Sequence, residues 1–243
     1  MAIALVFLFG LILGSFLNVV IFRLDGRDSI FISRSKCFHC GKILSWYELI
    51  PVISFAVQKG HCRSCGLKLS FQYPLVEITT GAALAYFYLY NSQNFLNFFF
   101  NTLFFSLLLV VFFYDIKHKI IPDVIVYPLI LFGLARESYH YYLGIPVKEN
   151  LIVAFGISFF FFLLWFISKG NWMGLGDAKL IFATSLLAGY PRALSAFLFA
   201  FWAGAIYAIP LLFLKKADMS SRVPFGPFII LGFLISLFYQ LRF

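Results

Sequence analysis

The sequence is poor in charged residues, which make up only 12% of its 243 positions. Soluble domains usually carry about 25% charged and about 45–50% apolar residues, whereas 62% of this chain is hydrophobic. Acidic residues are scarcest, with 10 Asp and Glu against 19 Lys and Arg. This composition excludes a soluble enzyme, a disordered protein and a secreted disulfide scaffold. It predicts an all-α polytopic membrane protein.

Charged residues are absent from residues 2–22, and cysteines are absent outside residues 37–65. Twenty-one helical residues rise about 31 Å, which is enough to cross a bilayer. A cleaved signal peptide would begin with positive charge, but the first basic residue is Arg23. We therefore expect an uncleaved first helix with its N-terminus outside. The polar segment 23–72 that follows is the only sizeable extramembrane segment.

Seven further apolar segments follow the polar one, which gives about eight transmembrane helices. They cover residues 74–90, 95–114, 124–142, 151–168, 178–190, 193–214 and 225–241. The third and fifth of these are weak spans, and each follows a loop that contains Asp. Short spans often mark a site where backbone lines a cavity, although simple tilting is the alternative.

The distribution of Lys and Arg predicts the orientation of the spans. The loops 23–72, 115–123, 169–179 and 215–222 hold 15 of the 19 basic residues. Because cytoplasmic loops collect Lys and Arg, these loops should lie inside and both termini outside. The outer side keeps Arg136, Lys148, Arg192 and Arg242. The positive charge therefore needs no nucleic-acid partner.

The four cysteines form two C-x2-C pairs, Cys37 with Cys40 and Cys62 with Cys65. Four thiolates at this spacing suit a tetrahedral structural zinc, and a closed four-Cys site leaves no position for catalysis. Two disulfides are the alternative, which the reducing cytoplasm disfavours. His39 or His61 replacing one sulfur is a less simple alternative.

Two carboxylates beside the spans, Asp115 and Asp177, are candidates for acid–base chemistry. Both fall on the cytoplasmic side of the expected topology. Two carboxylates held close together can share one proton, so that one activates water while the other protonates the leaving group. Asp177 could instead be a helix N-cap, as could Asp123. Asp115 could be a solvated charge balanced by a nearby lysine.

Two other polar residues lie inside expected spans. Glu77, about one turn into the second span, is costly to bury unless it is paired or hydrated. It could contribute to function, or it could be an acid favoured by the dipole of the first helical turn. Asn18, in the first span, is expected to make a hydrogen bond where helices pack.

Several motifs occur in an order that resembles one family. They are residues 14–23 (GSFLNVVIFR), the two C-x2-C pairs, 45–47 (SWY) with 50–51 (IP), 60–63 (GHCR), 73–77 (YPLVE), Asp115 with 121–123 (IPD), and 174–180 (GLGDAKL). Together they resemble the type IV prepilin peptidases, also called prepilin leader peptidase/N-methyltransferases, which are GxGD-type intramembrane aspartic proteases. The resemblance covers residues 14–180, and the last two spans match only as apolar segments. Phe38, Ser33 and Glu48 depart from the family's usual residues without touching the aspartates.

The resemblance implies an aspartic endopeptidase of the bacterial inner membrane. Such enzymes cut the basic leader from type IV prepilins or pseudopilins after a Gly at the cytoplasmic face, and they serve type IV pilus or type II secretion systems. Many then methylate the new N-terminal amine with S-adenosylmethionine. The catalytic pair of the family falls on Asp115 and Asp177, and its zinc ligands fall on Cys37, Cys40, Cys62 and Cys65. Glu77 is assigned to the methyl-transfer half as a cofactor-binding residue.

The expected organisation is a first transmembrane helix (1–22), a cytoplasmic zinc-binding loop associated with methyl transfer (23–73) and a seven-helix membrane peptidase domain (74–243). The expected partners are prepilin or pseudopilin substrates and membrane lipid. A proton- or ion-coupled transporter that uses intramembrane carboxylates is the main alternative function. A non-enzymatic scaffold that presents a zinc knuckle to cytoplasmic partners is a second. The order of the motifs argues against both.

Overall fold

The computed structural model describes residues 1–24, 29, 33–91, 95–213, 224–239 and 241. Within these residues the chain is helical, and its only β pairing is two isolated bridges. A short 3-10 helix covers Trp46–Leu49. The α-helices are α1 (Ala2–Arg23), α2 (Ile53–Val57), α3 (Gln72–Asn91), α4 (Phe95–His118), α5 (Asp123–Tyr142), α6 (Lys148–Ser168), α7 (Leu175–Ala188), α8 (Arg192–Phe213) and α9 (Gly226–Phe238). The all-α prediction is confirmed.

Eight of these helices correspond to the eight predicted apolar segments. Their ends agree with the prediction to within four residues. In the described part of the chain, α1, α4, α6 and residues 192–211 of α8 are long and apolar enough to cross a membrane, and α9 is a shorter apolar helix. The expected inner loop 215–222 and the outer Arg242 lie outside the described residues.

The chain divides into two compact units, Met1–Val110 and Val111–Phe243. The first unit contains the cysteine loop and the packed pair of helices α1 and α3. A Cβ atom on Gly10 would approach the Cα of Gly81 to 2.6 Å, and one on Gly14 would approach the Cα of Glu77 to 2.6 Å. Small residues therefore let these two helix backbones lie in direct contact.

The second unit is built around α7, which packs against α5, α6, α8 and α9. Eight of the 14 residues of α7 are buried. The helix is about 21 Å long, clearly shorter than the roughly 30 Å apolar layer of a bilayer. The predicted short span is thus a short helix enclosed by its neighbours, where lipid does not have to cover its ends.

A polar cluster closes the C-terminal end of α7. Arg136 of α5 donates hydrogen bonds to the carbonyl oxygens of Leu187 (3.0 Å) and Leu186 (3.5 Å), which have lost their helical partners. The buried carboxylate of Glu137 accepts a bond of 2.9 Å from the side chain of Asn150 on α6. The amide oxygen of Asn150 accepts the backbone N–H of Tyr190 at 2.8 Å. These contacts tie three consecutive helices together at one end.

Candidate active site and metal centre

Asp115 lies in the last turn of α4 and is almost completely buried, with 3% of its surface exposed. Its Oδ2 atom accepts a hydrogen bond of 3.1 Å from the backbone N–H of Gly226, the first residue of α9. The alternative of a solvated surface charge is therefore wrong. A buried carboxylate that receives a backbone donor from a distant helix is held in one position.

Asp177 is the third residue of α7 and is also buried, with 8% exposed. The N-cap is Gly174, and the Oδ2 atom of Asp177 accepts the Gly174 N–H at 3.2 Å. The sequence-based alternative, with Asp177 itself as the N-cap, is wrong because the helix begins at Leu175. The carboxylate instead folds back over the first turn, as an acid at the third helical position does in a capping box.

Three segments of the second unit meet at Ile121, in the loop after α4. A Cβ atom on Gly176 would lie 2.9 Å from the Cβ of Ile121, and one on Gly226 would lie 3.3 Å from its Cδ1. The first turns of α7 and α9 therefore both pack closely against Ile121. Asp115 is bonded to Gly226, and Asp177 directly follows Gly176, so both aspartates lie beside these contacts at Ile121. The structure brings the two predicted aspartates together.

Gly226 is the site residue that the sequence analysis missed. A Cβ atom there would approach Oδ2 of Asp115 to 2.6 Å, so no side chain fits without moving the carboxylate. The available signal was the Pro224-Phe225-Gly226-Pro227 sequence before the last span. Glycine and proline residues close together indicate a turn, but they do not reveal a contact with a residue 111 positions away.

Asp123 occupies a different position from the buried pair. It is the first residue of α5, after Pro122 as the N-cap, so its own N-cap role is wrong. Its carboxylate is 53% exposed and pairs with Lys179 of α7 at 2.8 Å. Lys179 also donates to the hydroxyl of Tyr127 at 3.2 Å. This exposed pair links the first residue of α5 to α7.

The four cysteines converge in the first unit. All are free, and their Sγ atoms lie within 4.8 Å of one another, with 4.0 Å between Cys37 and Cys65. A tetrahedral zinc with Zn–S bonds of about 2.3 Å needs sulfurs about 3.8 Å apart. The donor set therefore fits a metal ion. Neither His39 nor His61 belongs to this group in the described part of the chain.

The two cysteine pairs sit in equivalent turns. The backbone N–H of Gly41 donates to the carbonyl of Cys37 at 3.0 Å, and that of Gly66 donates to Cys62 at 2.9 Å. Both glycines have a positive φ, 71° and 68°, a conformation that other residues rarely adopt. Backbone N–H groups of Cys65 and Ser64 lower the pKa of the Cys62 thiol to about 6. Burial and the other three thiols raise the pKa of Cys65 to about 11, so Cys62 is the thiol of this pair that ionises first.

Glu48 anchors the segment between the two turns. Its carboxylate accepts the Ser45 N–H at 2.9 Å and pairs with Lys42 at 3.3 Å. The Ser45 bond, followed by Lys42, lowers the pKa of Glu48. Glu48 thus fixes the 3-10 helix beside the first cysteine pair through a capping box.

Glu77 lies on α3 at the edge of a cavity in the first unit, with 6% of its surface exposed. Its Oε2 atom accepts the Val52 N–H at 2.7 Å. Val52 has φ 61°, an unusual conformation for a β-branched residue, which stores strain at this contact. Asn18 donates to the carbonyl of Tyr73 at 3.2 Å, which confirms the expected interhelical bond.

Comparisons with known proteins cover both units. Residues 8–91 match the bacterial peptidase A24 N-terminal domain, and residues 102–209 match the type IV leader peptidase family. A Bacillus subtilis protein named prepilin leader peptidase/N-methyltransferase is 32% identical over 98% of this chain and 94% of its own length. An Aeromonas salmonicida protein of the same name is 30% identical over 97% of this chain and 90% of its own.

A Myxococcus xanthus protein, also named prepilin leader peptidase/N-methyltransferase, is 33% identical over 85% of this chain. The chain spans 62% of the length of that relative. No solved structure matches the chain. Nothing in these comparisons supports the transporter alternative.

Proposed function

Because this chain belongs to the type IV leader peptidase family, we propose that it is a membrane aspartic endopeptidase acting on prepilins or pseudopilins. It cuts the basic leader after a Gly and then N-methylates the new N-terminal residue. The observation that carries the peptidase proposal is the convergence of Asp115 and Asp177, each bonded to a glycine N–H at the start of a helix.

Asp115 and Asp177 act as one acid–base pair that shares a proton. The ionised member takes a proton from a water molecule, whose oxygen attacks the carbonyl carbon of the scissile peptide. The neutral member polarises that carbonyl and then protonates the leaving amine as the C–N bond breaks. The two glycine N–H bonds support this role because they fix both carboxylates while each keeps a second oxygen for the substrate.

The site lies at the cytoplasmic face, with both termini outside. The inner-loop excess of Lys and Arg supports this orientation. The positions of Asp115 at the end of α4 and Asp177 at the start of α7 support a site near the membrane surface. A prepilin offers a basic leader followed by an apolar helix, so its cleavage point emerges from lipid at this depth.

The four-cysteine cluster holds a structural zinc ion, and the donor set and spacing support this identity. Zinc ligation by Cys37, Cys40, Cys62 and Cys65 would use all four positions around the metal. The ion therefore shapes the loop 23–73 and does not take part in peptide cleavage. Under this proposal, the loop contributes to methyl transfer, and residues 74–243 form the peptidase domain.

Methyl transfer uses S-adenosylmethionine, the donor implied by the relatives' N-methyltransferase name. When bound, the cofactor would supply an electrophilic methyl group for the new N-terminal amine of the substrate, and it would leave as S-adenosylhomocysteine. Glu77, a buried carboxylate at the edge of the cavity in the first unit, is assigned to this half of the protein.

Substitution of either aspartate tests the peptidase proposal. Asp115→Asn and Asp177→Asn keep the side-chain volume but cannot exchange a proton, so each should abolish leader cleavage in detergent. Because the two act as a unit, the double variant should be no worse than either single one. Asp123→Asn is the matched control, since that carboxylate is half-exposed and should leave most of the cleavage rate.

The readout is the fraction of purified prepilin converted over time, with thermal unfolding used to check that each variant is folded. A folded Asp177→Asn protein that still cuts at an appreciable rate would refute the aspartyl mechanism. Loss of cleavage in Asp123→Asn alone would mean that the pair has been assigned to the wrong residues.

A further inference from the structure

Two short helices of the cysteine loop expose large apolar side chains. In the 3-10 helix, Trp46 is 78% exposed and Leu49 is 40% exposed. In α2, Ile53 is 61% exposed and Val57 is 62% exposed, and none of the five residues of this helix is buried. Side chains three residues apart in a 3-10 helix, or four apart in an α-helix, lie on one face, so each helix carries an exposed apolar pair. We call these four residues the apolar patch. Exposed apolar patches mark surfaces that a partner or a membrane covers.

A backbone hydrogen bond fixes the height of the apolar patch relative to the expected spans. Val52, between the two short helices, donates its N–H to Oε2 of Glu77 at 2.7 Å. Glu77 is the sixth residue of α3, about 7.5 Å along the helix from its start at Gln72. A Cβ atom on Gly14 of α1 would approach the Cα of Glu77 to 2.6 Å, so α1 passes at the same level. Because α1 and α3 correspond to the first two expected spans, the residues next to Val52 lie where this helix pair leaves the apolar layer.

The aromatic end of the apolar patch has the composition of a membrane interface. The rings of Trp46 and Tyr47 meet edge to face, with 5.9 Å between their centroids. The guanidinium carbon of Arg63 lies 5.2 Å from the centroid of the Tyr47 ring. Trp and Tyr are enriched where a membrane meets water, because each ring is apolar and carries one polar group. The exposed Arg63 brings a positive charge to the same place.

The exposed charge around the apolar patch is of one sign. Residues 33–73 contain one acidic residue, Glu48, which is buried and paired with Lys42. The same residues contain six basic ones, all of them exposed: Arg34, Lys36, Lys42, Lys59, Arg63 and Lys68. Anionic lipids of the cytoplasmic leaflet attract basic segments that are held close to the membrane. The cysteine loop is therefore complementary to a lipid surface in charge as well as in polarity.

We propose that the apolar patch inserts into the leaflet at which α1 and α3 end, and that the basic side chains around it contact anionic phospholipid headgroups. The cysteine loop then lies along the membrane surface, held there by the patch and by the bond from Val52 to Glu77. This interaction depends on neither peptide cleavage nor methyl transfer. A docked protein is the competing occupant. The membrane is favoured because Val52 already holds the patch at the level of the bilayer, and because the charge around the patch matches anionic lipid.

Lipid crosslinking to the wild type tests the insertion. The full-length protein is reconstituted in nanodiscs of phosphatidylcholine and phosphatidylglycerol, together with a phosphatidylglycerol that carries a photoactivatable group near its headgroup. After illumination, mass spectrometry should find crosslinks within residues 46–57 as well as in the spans. Crosslinks confined to the spans would refute the proposal. Because no variant is used, this result does not depend on the folding of a mutant.

The depth of Trp46 in the membrane is a second measure. The substitutions Trp165→Phe, Trp172→Phe and Trp202→Phe leave Trp46 as the sole tryptophan of the chain. In nanodiscs, a phospholipid brominated near its headgroup should quench the fluorescence of Trp46 strongly, whereas acrylamide in the water should quench it weakly. Thermal unfolding reports whether this protein is folded.

Matched substitutions in the same background separate the apolar patch from exposed apolar residues in general. Ile53→Ser combined with Val57→Ser should remove most of the quenching of Trp46 by brominated lipid and should increase quenching by acrylamide. Ile145→Ser is the control, because Ile145 is also an exposed apolar residue but lies in the loop before α6. This control should leave both kinds of quenching unchanged. The same quenching in the double serine variant and in the control would contradict the proposal.

The lipid composition tests the role of charge. Quenching of Trp46 by brominated lipid should be stronger with phosphatidylglycerol present than in phosphatidylcholine alone, and Lys59→Gln combined with Arg63→Gln should remove most of this difference. Equal quenching in the two lipids would overturn the contact with anionic headgroups. If acrylamide and no brominated lipid quenches Trp46, the insertion is wrong. Protection of Trp46 from acrylamide only when prepilin is added, or only at high protein concentration, would make the patch a protein-docking surface instead.

Discussion

Replacement of Gly226 by alanine tests the geometry of the aspartate pair without changing either aspartate. The added Cβ atom would lie 2.6 Å from Oδ2 of Asp115, whereas ordinary contacts begin at 3.4 Å. The carboxylate must therefore retreat by about 0.8 Å, and the 3.1 Å bond from the Gly226 N–H must lengthen or break. A misplacement of about 1 Å in a catalytic group costs about 100-fold in rate.

We expect Gly226→Ala to lower kcat for leader cleavage by about 100-fold and to change KM for prepilin by less than about threefold. The rate falls because Asp115 loses its position relative to Asp177, while the surface that binds the prepilin helix is unchanged. The assay is the initial rate of cleavage of a purified prepilin in detergent over a range of substrate concentrations. Thermal unfolding and zinc content report whether the variant is folded.

Gly156→Ala is the matched control, because a Cβ atom there meets nothing within 4 Å and the residue lies within α6 of the same unit. This variant should cleave like the wild type. A folded Gly226→Ala protein with kcat within about threefold of the wild type would refute the reasoning. The contact between α9 and Asp115 would then have no part in catalysis.

Two further outcomes test other parts of the molecule. The wild type should contain about one zinc per chain by metal analysis, and Cys37→Ser combined with Cys62→Ser should remove it and lower activity through the lost loop structure; full metal retention would contradict the assignment. Asn150→Leu removes the donor to the buried Glu137 and the acceptor for the Tyr190 N–H. It should therefore lower stability by about 2–4 kcal/mol, measured as a fall in the thermal unfolding temperature, and an unchanged temperature would contradict the structural role of the cluster.

The sequence predicted the helices well because long apolar runs leave few alternatives in a membrane protein. It also predicted the cysteine cluster, since two C-x2-C pairs at this spacing have one simple geometry. The start of α7 was wrong by three residues, because the predicted span began with the apolar run that follows Asp177. A glycine can cap a helix or lie within its first turn, and tertiary packing on Ile121 decides which.

The contacts that complete the site depend on residues far apart in the chain. Gly226 reaches Asp115 across 111 positions, and Val52 reaches Glu77 across 25. Both bonds use a backbone N–H, which every residue except proline possesses, so these two contacts cannot be predicted from the residue types alone. The cavity beside Glu77 was hidden for the same reason: it is formed by the packing of α1, α3 and the cysteine loop.

The enclosure of α7 has a consequence for how this sequence tolerates change. A helix in contact with four others, with small buried residues such as Ala178, Ala183 and Ser185 along it, accepts few substitutions. The Phe-rich faces of α4 and α6 are more exposed and can exchange one apolar residue for another at little cost. In a saturation mutagenesis library selected for prepilin cleavage, surviving changes should therefore concentrate on α4 and α6, while α7 remains nearly invariant along its length.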